Sequence, residues 1–184
     1  MQNSVVDMHI ALLRAVNVGG SVVPMAQLRA VAQGLGFGQV RSLLNSGNLV
    51  LSSAALPAEV ERLLEDALAR QMGVATAIMA RTALEWSAAI AANPFPIEAA
   101  EDPSHLLVVF LKASVYPPAV EHLQASIRGP ELVRAQERQL YITYPAGIGT
   151  SKLTMSVIER AVGTRGTGRN WNTLLKLQAL ADCT

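Results

Sequence analysis

The sequence predicts an α+β fold of two ferredoxin-like βαββα units packed together, a duplication in which helices cover antiparallel sheets and an extra helix ends the chain. Two observations carry this prediction. Each half of the 184 residues shows the same order of patterns, namely strand, helix, two strands, helix. An acidic, turn-rich segment at 97–103 separates the halves, so we expect domains at 8–96 and 104–184.

The first half contains the predicted unit followed by a further strand and helix. The apolar run at 8–14 predicts a strand, and Pro24 opens a helix that ends at a glycine-rich stretch. Two β-rich runs around NSGN predict a hairpin. Pro57 begins the clearest helix, and we assign its acids, from Glu59 to Asp66, to a solvated side. The run VATAIMA predicts a strand, and a helix at 82–92 precedes NPFP.

The second half repeats the order of the first unit. The run HLLVVFLK predicts a buried strand, 117–127 a helix, and two further runs a second hairpin. We expect further helices at 151–162 and 170–181. In this alignment His9 and His105 open equivalent first strands.

Composition indicates a soluble chain with an aliphatic core. Hydrophobic residues make up 51% of the chain and aromatic residues only 4%, so Ala, Val, Leu and Ile must fill the interior. The single Cys183 excludes a disulfide framework and a cysteine metal site. The longest strongly apolar run, at 106–111, is far shorter than the ~20 residues of a membrane helix. We therefore expect a cytoplasmic protein with no membrane partner.

Charge is distributed unevenly along the chain. The stretch 147–178 contains five basic residues against Glu159 alone, a net charge of +4, which leaves −3 for the rest of a chain with net charge +1. This asymmetry favours an anionic partner, either a nucleotide or nucleic acid. The alternative is a solvated basic face with no partner.

The segment YITYPAGIGTSKL places Ser151 and Lys152 between a predicted strand and a predicted helix. Free N–H groups and the helix dipole at such a position favour an anion. The spacing is not that of a phosphate loop, and the alternative is that Thr150 or Ser151 only caps the helix. The later GTRGTGR follows a helix without a preceding strand, which excludes a dinucleotide loop, and Gly163 fits a helix C-cap.

The segment RNWNTLLKL separates an apolar side from a polar side at helical spacing. Trp171, Leu174 and Leu175 fall on one side, so we interpret the tryptophan as a core anchor. Arg169, Asn172 and Lys176 fall on the opposite side, as a ligand-binding face would require. Asn170 is also a candidate N-cap for this helix.

Two loops in the first half offer further ligand contacts. Arg14, Asn17 and Asn48 would converge with Lys152 and Arg169 if the N-terminal strand and hairpin lay beside the C-terminal helices. The alternative for the glycines of these loops is turn geometry that needs a positive φ. The candidate ligand-binding residues are Arg14, Asn17, Gly19, Gly20, Ser46, Asn48, Ser151, Lys152, Arg169, Asn170, Asn172 and Lys176.

The residues give classical catalysis little support. No histidine has a Glu or a second His at metal-ligand spacing, and Ser46 is not in a nucleophile elbow, so we expect no metal and no cofactor. The leading hypothesis is a binding protein for a phosphate-bearing ligand. The rivals are an enzyme that orients a small anionic metabolite with Lys152, Arg169 and Asn172, and a scaffold that self-associates as a homo-oligomer.

Several segments together resemble the bacterial family known as domain of unknown function 1697. They are ALLRAVNVGG, VPMAQLR, LGFGQVRSLLNSGNLVL, NPFP, SKLTMSVIERAVG and RNWNTLLKL, which extend over most of the chain. The resemblance implies a cytosolic α/β protein of two related ferredoxin-like halves, with no established activity. The chain departs from the family pattern at Ala15, where Gly is usual, and at 43–45, where an aromatic residue and Gln are usual.

Overall fold

The computed structural model describes residues 6–14 and 23–183. These residues form two compact units, one from Met1–Ser87 together with Leu177–Thr184 and the other from Ala88–Lys176. We call them unit 1 and unit 2. The domain limits expected from the sequence, 8–96 and 104–184, stay a prediction.

Unit 1 contains a four-stranded antiparallel sheet with the strand order β2-β3-β1-β4. Two helices, α1 and α2, connect its strands, so the element order is βαββαβ, as in a ferredoxin-like fold. Helix α3 follows the last strand, and its residues from Ala88 onward belong to unit 2. The elements are β1 (Asp7–Leu13), α1 (Met25–Gly34), β2 (Gly38–Leu43), β3 (Asn48–Ser53), α2 (Pro57–Met72), β4 (Ile78–Thr82) and α3 (Ala83–Ala91).

Unit 2 has the same topology, with the strand order β6-β7-β5-β8. A short helix precedes its first strand, a 3-10 turn at Ile148–Thr150 precedes α6, and a long helix follows the last strand. The elements are α4 (Pro96–Glu101), β5 (Leu106–Leu111), α5 (Pro117–Ser126), β6 (Leu132–Gln136), β7 (Gln139–Thr143), α6 (Met155–Val162), β8 (Gly166–Asn170) and α7 (Trp171–Asp182). Residues of α7 from Leu177 onward belong to unit 1. The predicted duplicated α+β fold is confirmed.

The sequence did not predict strand β8, because the segment GTRGTGR has the composition of a loop. Its glycines explain the error, because glycine is rare in strands and common in loops. A Cβ added at Gly166 would lie 2.8 Å from Leu111 Cδ2, and one at Gly168 would lie 2.8 Å from Leu107 Cδ2. The glycines therefore allow β8 to lie close to the leucines of β5, and each unit has one strand more than the predicted βαββα pattern.

Two local predictions need correction. The segment at 97–103 contains the end of α4, since Pro96 at the first helical position starts a helix there. Helix α6 begins at Met155 and not at residue 151, because Thr154 is the N-cap and its Oγ1 accepts a hydrogen bond from Val157 N at 3.4 Å. Gly163 ends α6 in the left-handed conformation with φ 72°, as predicted.

The predicted equivalence of His9 and His105 is also wrong. In each unit the first strand, β1 or β5, pairs with the last strand, β4 or β8. We align the two units on this pairing. His9 pairs with Thr82 and Leu107 pairs with Asn170, so the counterpart of His9 is Leu107. His105 lies before β5 begins.

Each unit has its own aliphatic core between its sheet and its helices, as the composition predicts. In unit 1 the residues of β1 and β3 that face α1 and α2, such as Leu13 and Leu49, pack with Leu64. In unit 2 Val109 and Ile142 pack with α5 and α6. The core of unit 2 also includes Leu111, Leu123, Leu140, Tyr144, Leu153 and Ile158.

Candidate ligand-binding pocket

The predicted site residues are distributed over both units. Asn17, Gly19 and Gly20 lie outside the described residues. The expected convergence of the N-terminal loop with the basic C-terminal residues therefore stays a prediction. The other candidates are located in their own units, three in unit 1 and six in unit 2.

In unit 1 the candidates around NSGN build the hairpin turn. Asn48 is fully buried, and its Nδ2 donates hydrogen bonds to Leu43 O at 3.0 Å and to Ser46 Oγ at 2.9 Å. Gly47 has φ 70°, and its carbonyl accepts a hydrogen bond from Leu13 N at 2.8 Å. The positive φ confirms the turn-geometry reading of Gly47, and Asn48 uses its amide within the turn.

Arg14 lies directly after β1, and both its main-chain N–H and its carbonyl form hydrogen bonds. Its N–H donates to Ala77 O at 2.9 Å, and its carbonyl accepts a hydrogen bond from Thr76 Oγ1 at 2.6 Å. The side chain is half-buried. These bonds fix the point at which the chain leaves the sheet.

Four candidates of unit 2 lie in or beside β8 and α7. Asn170 is the N-cap of α7, because its Oδ1 accepts hydrogen bonds from Thr173 N at 3.0 Å and Thr173 Oγ1 at 2.8 Å. Arg169 is on a strand and not on the helix, and its Nη1 donates to Thr167 Oγ1 and Gly168 O, both at 2.8 Å. Burial lowers the pKa of Arg169 to about 10.

The helical face predicted for RNWNTLLKL is only partly correct. Trp171 and Leu174 are buried as expected, but Leu175 is 44% exposed. Asn172 and Lys176 are exposed one turn apart on α7. Because Arg169 lies on β8, helical spacing does not relate it to these two residues.

The remaining two candidates, Ser151 and Lys152, line a pocket of about 420 Å³ within unit 2. The segment between α5 and β6 forms one side of this pocket and contributes Arg128, Gly129 and Glu131. The segment between the 3-10 turn and α6 forms the other side. The apolar part of the wall consists of Ile127, Leu153 and Val157. The volume is within the range of small-molecule sites.

Glu131 and Arg128 are residues of this pocket that sequence reasoning missed. Glu131 is only 7% exposed, and its Oε1 accepts a hydrogen bond from Ser151 Oγ. Ser151 Oγ in turn accepts a hydrogen bond from Leu153 N at 3.0 Å. Ser151 therefore holds the carboxylate in place, and a contact across twenty residues of sequence has no local signal that could predict it.

Gly129 makes room for this carboxylate. A Cβ added at residue 129 would collide with Glu131 Oε2 and would lie 2.9 Å from Glu131 Cδ. The glycine is not among the residues with a positive φ, so the feature that favours it is the close approach of the Glu131 side chain and not the backbone conformation.

The charges around the pocket are of both signs. The side chains of Arg128 and Lys152 are exposed, whereas the carboxylate of Glu131 is largely buried. Burial, and secondarily the charge of Glu131, raises the pKa of Tyr144. Tyr144 thus stays neutral, and its hydroxyl donates to Leu153 O at 3.0 Å, which supports the pocket wall from the core.

Metal and membrane signals do not appear in the described part of the chain. Within residues 6–14 and 23–183, no group of three or more His, Cys, Asp or Glu side chains is arranged to hold a metal ion. No helix there has both the length and the apolar character needed to cross a membrane.

The fold and the pocket define an α+β protein of two ferredoxin-like units, the second with a cavity of ligand size. A family model described as protein of unknown function (DUF1697) matches residues 6–141, and the chain belongs to this family. The chain is also similar to a solved structure described as the conserved bacterial protein SP0830 from Streptococcus pneumoniae. The TM-score is 0.78 at 20% sequence identity, with 97% of this chain and 99% of the other covered. Comparison with curated proteins gave no match.

Proposed function

We propose that the protein binds a small anionic ligand, such as a phosphate-bearing metabolite or nucleotide, in the pocket of unit 2. The observation that carries this proposal is that Lys152 and Arg128, on two different segments of the chain, line one cavity of about 420 Å³. A guanidinium and an ammonium in one cavity would together neutralise an anion.

The anion contact would come from side chains and not from a helix terminus. Helix α6 begins three residues after Lys152, and its N-cap position is filled by Thr154. Ser151 has a positioning role, because its hydroxyl donates to Glu131. Lys152 and Arg128 are therefore the two residues that would contact the anion.

A small ligand fits the charge of unit 2 better than nucleic acid does. Residues 88–176 contain nine Lys and Arg against seven Asp and Glu, a net charge of +2. Nucleic-acid interfaces usually neutralise many phosphates with a clustered basic surface. Two cations in one cavity match a single anionic group.

Titration calorimetry with inorganic phosphate and with nucleotides, at low and at physiological salt, tests the proposal. We expect the double variant Arg128→Ala, Lys152→Ala to bind about tenfold more weakly or worse. The matched control is Arg160→Ala, Arg165→Ala, which removes two exposed cations of unit 2 outside the pocket. Absence of binding at low salt, or an equal loss in both double variants, would overturn the proposal.

A further inference from the structure

The carboxylate of Glu131 has one oxygen, Oε2, to which none of the described residues donates a hydrogen bond. Ser151 Oγ donates to Oε1, and within residues 6–14 and 23–183 the other hydrogen bond of this residue is from Gln124 Nε2 to its main-chain oxygen at 3.3 Å. Among the described residues, no Lys or Arg side chain forms an ion pair with Glu131. Burial of a carboxylate without a cation or further donors is costly, so such groups normally have a partner.

The uncommitted oxygen is accessible from the pocket. Glu131 lines the cavity, and Oε2 is not among the fully buried polar atoms without a partner, which in the described part of the chain are His9 Nδ1 and Arg41 Nη2. Gly129 has no Cβ, and Oε2 occupies the position that a Cβ would take. A ligand group in the pocket can therefore reach this oxygen.

The negative and positive groups are held by the same two segments. Arg128 precedes Gly129, and Lys152 follows Ser151, so each residue that accommodates or holds Glu131 is adjacent in sequence to one of the cations. Residues with both signs of charge therefore line one cavity. Ile127, Leu153 and Val157 line the same cavity and provide an apolar wall.

We propose that the ligand of this pocket is a small zwitterion, with an ammonium group on Glu131 Oε2 and an anionic group on Lys152 and Arg128. This inference rests on the proposed function, which needs only the anion. A short aliphatic spacer between the two charges would pack on the apolar wall. Aminoalkyl phosphates and amino acids share this chemistry, and they differ in the anion.

Matched pairs of probes separate the ammonium contribution from the anion contribution. Phosphoethanolamine and ethyl phosphate differ in the amine alone, and β-alanine and propionate form the same pair for a carboxylate. Calorimetric titration of the unmodified protein needs no variant, and we expect the amine-bearing member of at least one pair to bind about tenfold more tightly than its partner. The pair with the larger difference identifies the anion as phosphate or carboxylate.

The variant Glu131→Gln keeps the size of the side chain and removes its charge. We expect the affinity ratio within the preferred pair to fall to about one, while the affinity for the amine-free probe is unchanged or higher. Gly129→Ala retains the charge of Glu131 but obstructs Oε2, and it should reduce the same ratio. Thermal unfolding and circular dichroism show which variants are folded. The affinity ratio within each probe pair, measured with the unmodified protein, tests the inference even if no variant folds.

The failures of the two proposals are distinguishable. Equal affinity for both members of each pair in the unmodified protein would overturn the zwitterion and leave the anion site in place. Absence of binding of all four probes, and of inorganic phosphate and nucleotides, at low salt would overturn both. A ratio unchanged by Glu131→Gln and by Gly129→Ala would show that the amine binds elsewhere.

Discussion

The last strands of the two units have the same place in the sheet but different protection of their outer edge. In β4, three N–H groups point away from β1, and each donates to a carboxylate. Ile78 N bonds Glu65 Oε1 at 2.7 Å, Ala80 N bonds Glu61 Oε1 at 2.8 Å, and Thr82 N bonds Glu85 Oε2 at 2.8 Å. Acidic side chains thus occupy the hydrogen-bonding edge of β4.

In β8, one main-chain N–H donates to a carboxylate among the described residues. Gly166, the counterpart of Ile78, donates its N–H to Glu159 Oε1 at 2.9 Å. The residue one helical turn earlier, at the position of Glu61, is Met155, which has no carboxylate. Among the described residues, no carboxylate accepts a hydrogen bond from Gly168 N, the counterpart of Ala80 N.

The comparison shows that topology does not dictate how an edge is protected. Helix α2 has 16 residues and carries two of the capping acids, whereas α6 has 8 residues and carries one. Charged side chains that cover an edge strand prevent it from pairing with another chain. The acids of α2 are therefore not all on a solvated side, since Glu61 is 5% exposed and caps a strand.

The largest expected loss of stability comes from substitution of Glu61, the capping acid that also pairs with the buried Arg81. Arg81 is 2% exposed, donates to Ala80 O at 2.8 Å and lies 3.9 Å from Glu61 Oε1. Glu61→Ala removes this buried carboxylate and the acceptor of Ala80 N, so we expect a loss of about 3 kcal/mol in the free energy of unfolding. Urea denaturation measures it.

The control for this prediction is the cap in unit 2. Glu159→Ala removes the acceptor of Gly166 N, and we expect a loss of about 1 kcal/mol. If Glu61→Ala reduces the free energy of unfolding by no more than Glu159→Ala does, then the buried Arg81–Glu61 pair adds nothing to the stability that capping alone provides.

An intermediate effect is expected from the glycines that β8 has and β4 lacks. A Cβ at Gly166 would lie 2.8 Å from Leu111 Cδ2, 2.9 Å from Val109 Cγ1 and 3.1 Å from Phe110 O. Because main chain and core side chains must move, Gly166→Ala should reduce the free energy of unfolding by about 2 kcal/mol. Gly149→Ala is the matched control, since no atom lies within 4 Å of its added Cβ. Equal urea midpoints for both variants would contradict the steric explanation of β8.

The smallest effect concerns His9 and its counterpart Leu107. Burial lowers the pKa of His9, and this outweighs the opposing effects of the acceptor Ser53 O and of the charges of Asp7 and Glu85. Below pH 6.5 the unfolded chain therefore binds more protons at this histidine than the folded chain, and stability falls as the pH falls. We expect His9→Leu to flatten the decline of the unfolding free energy between pH 7 and pH 5.

At pH 7 the same variant should be nearly neutral or slightly stabilising, because His9 Nδ1 is buried without a hydrogen-bond partner. Urea denaturation at several pH values measures both effects. The control is His122→Leu, which changes an exposed histidine of α5. An identical decline with pH in the unmodified protein and in His9→Leu would contradict the assignment to His9.

Local patterns predicted many elements but few contacts. Helix α2 and the cap residues Asn170 and Gly163 could be identified from periodicity and from neighbours a few residues away. Strand β8 could not, because its glycines have no strand propensity and depend on the leucines of β5. Of the described candidate site residues, only Ser151 and Lys152 line the pocket, and the sequence contained no sign of Glu131.

The sequence by itself determined the aliphatic core, the order of most elements and the family pattern, since each depends on composition or on residues close together in the chain. Tertiary structure decided the rest. The bond of Ser151 to Glu131, the pairing of Arg81 with Glu61 and the capping of β4 by the acids of α2 join residues 13 to 20 positions apart. Such contacts have no periodicity in the sequence, because they depend on how helices pack on their sheet and not on the local conformation of the chain.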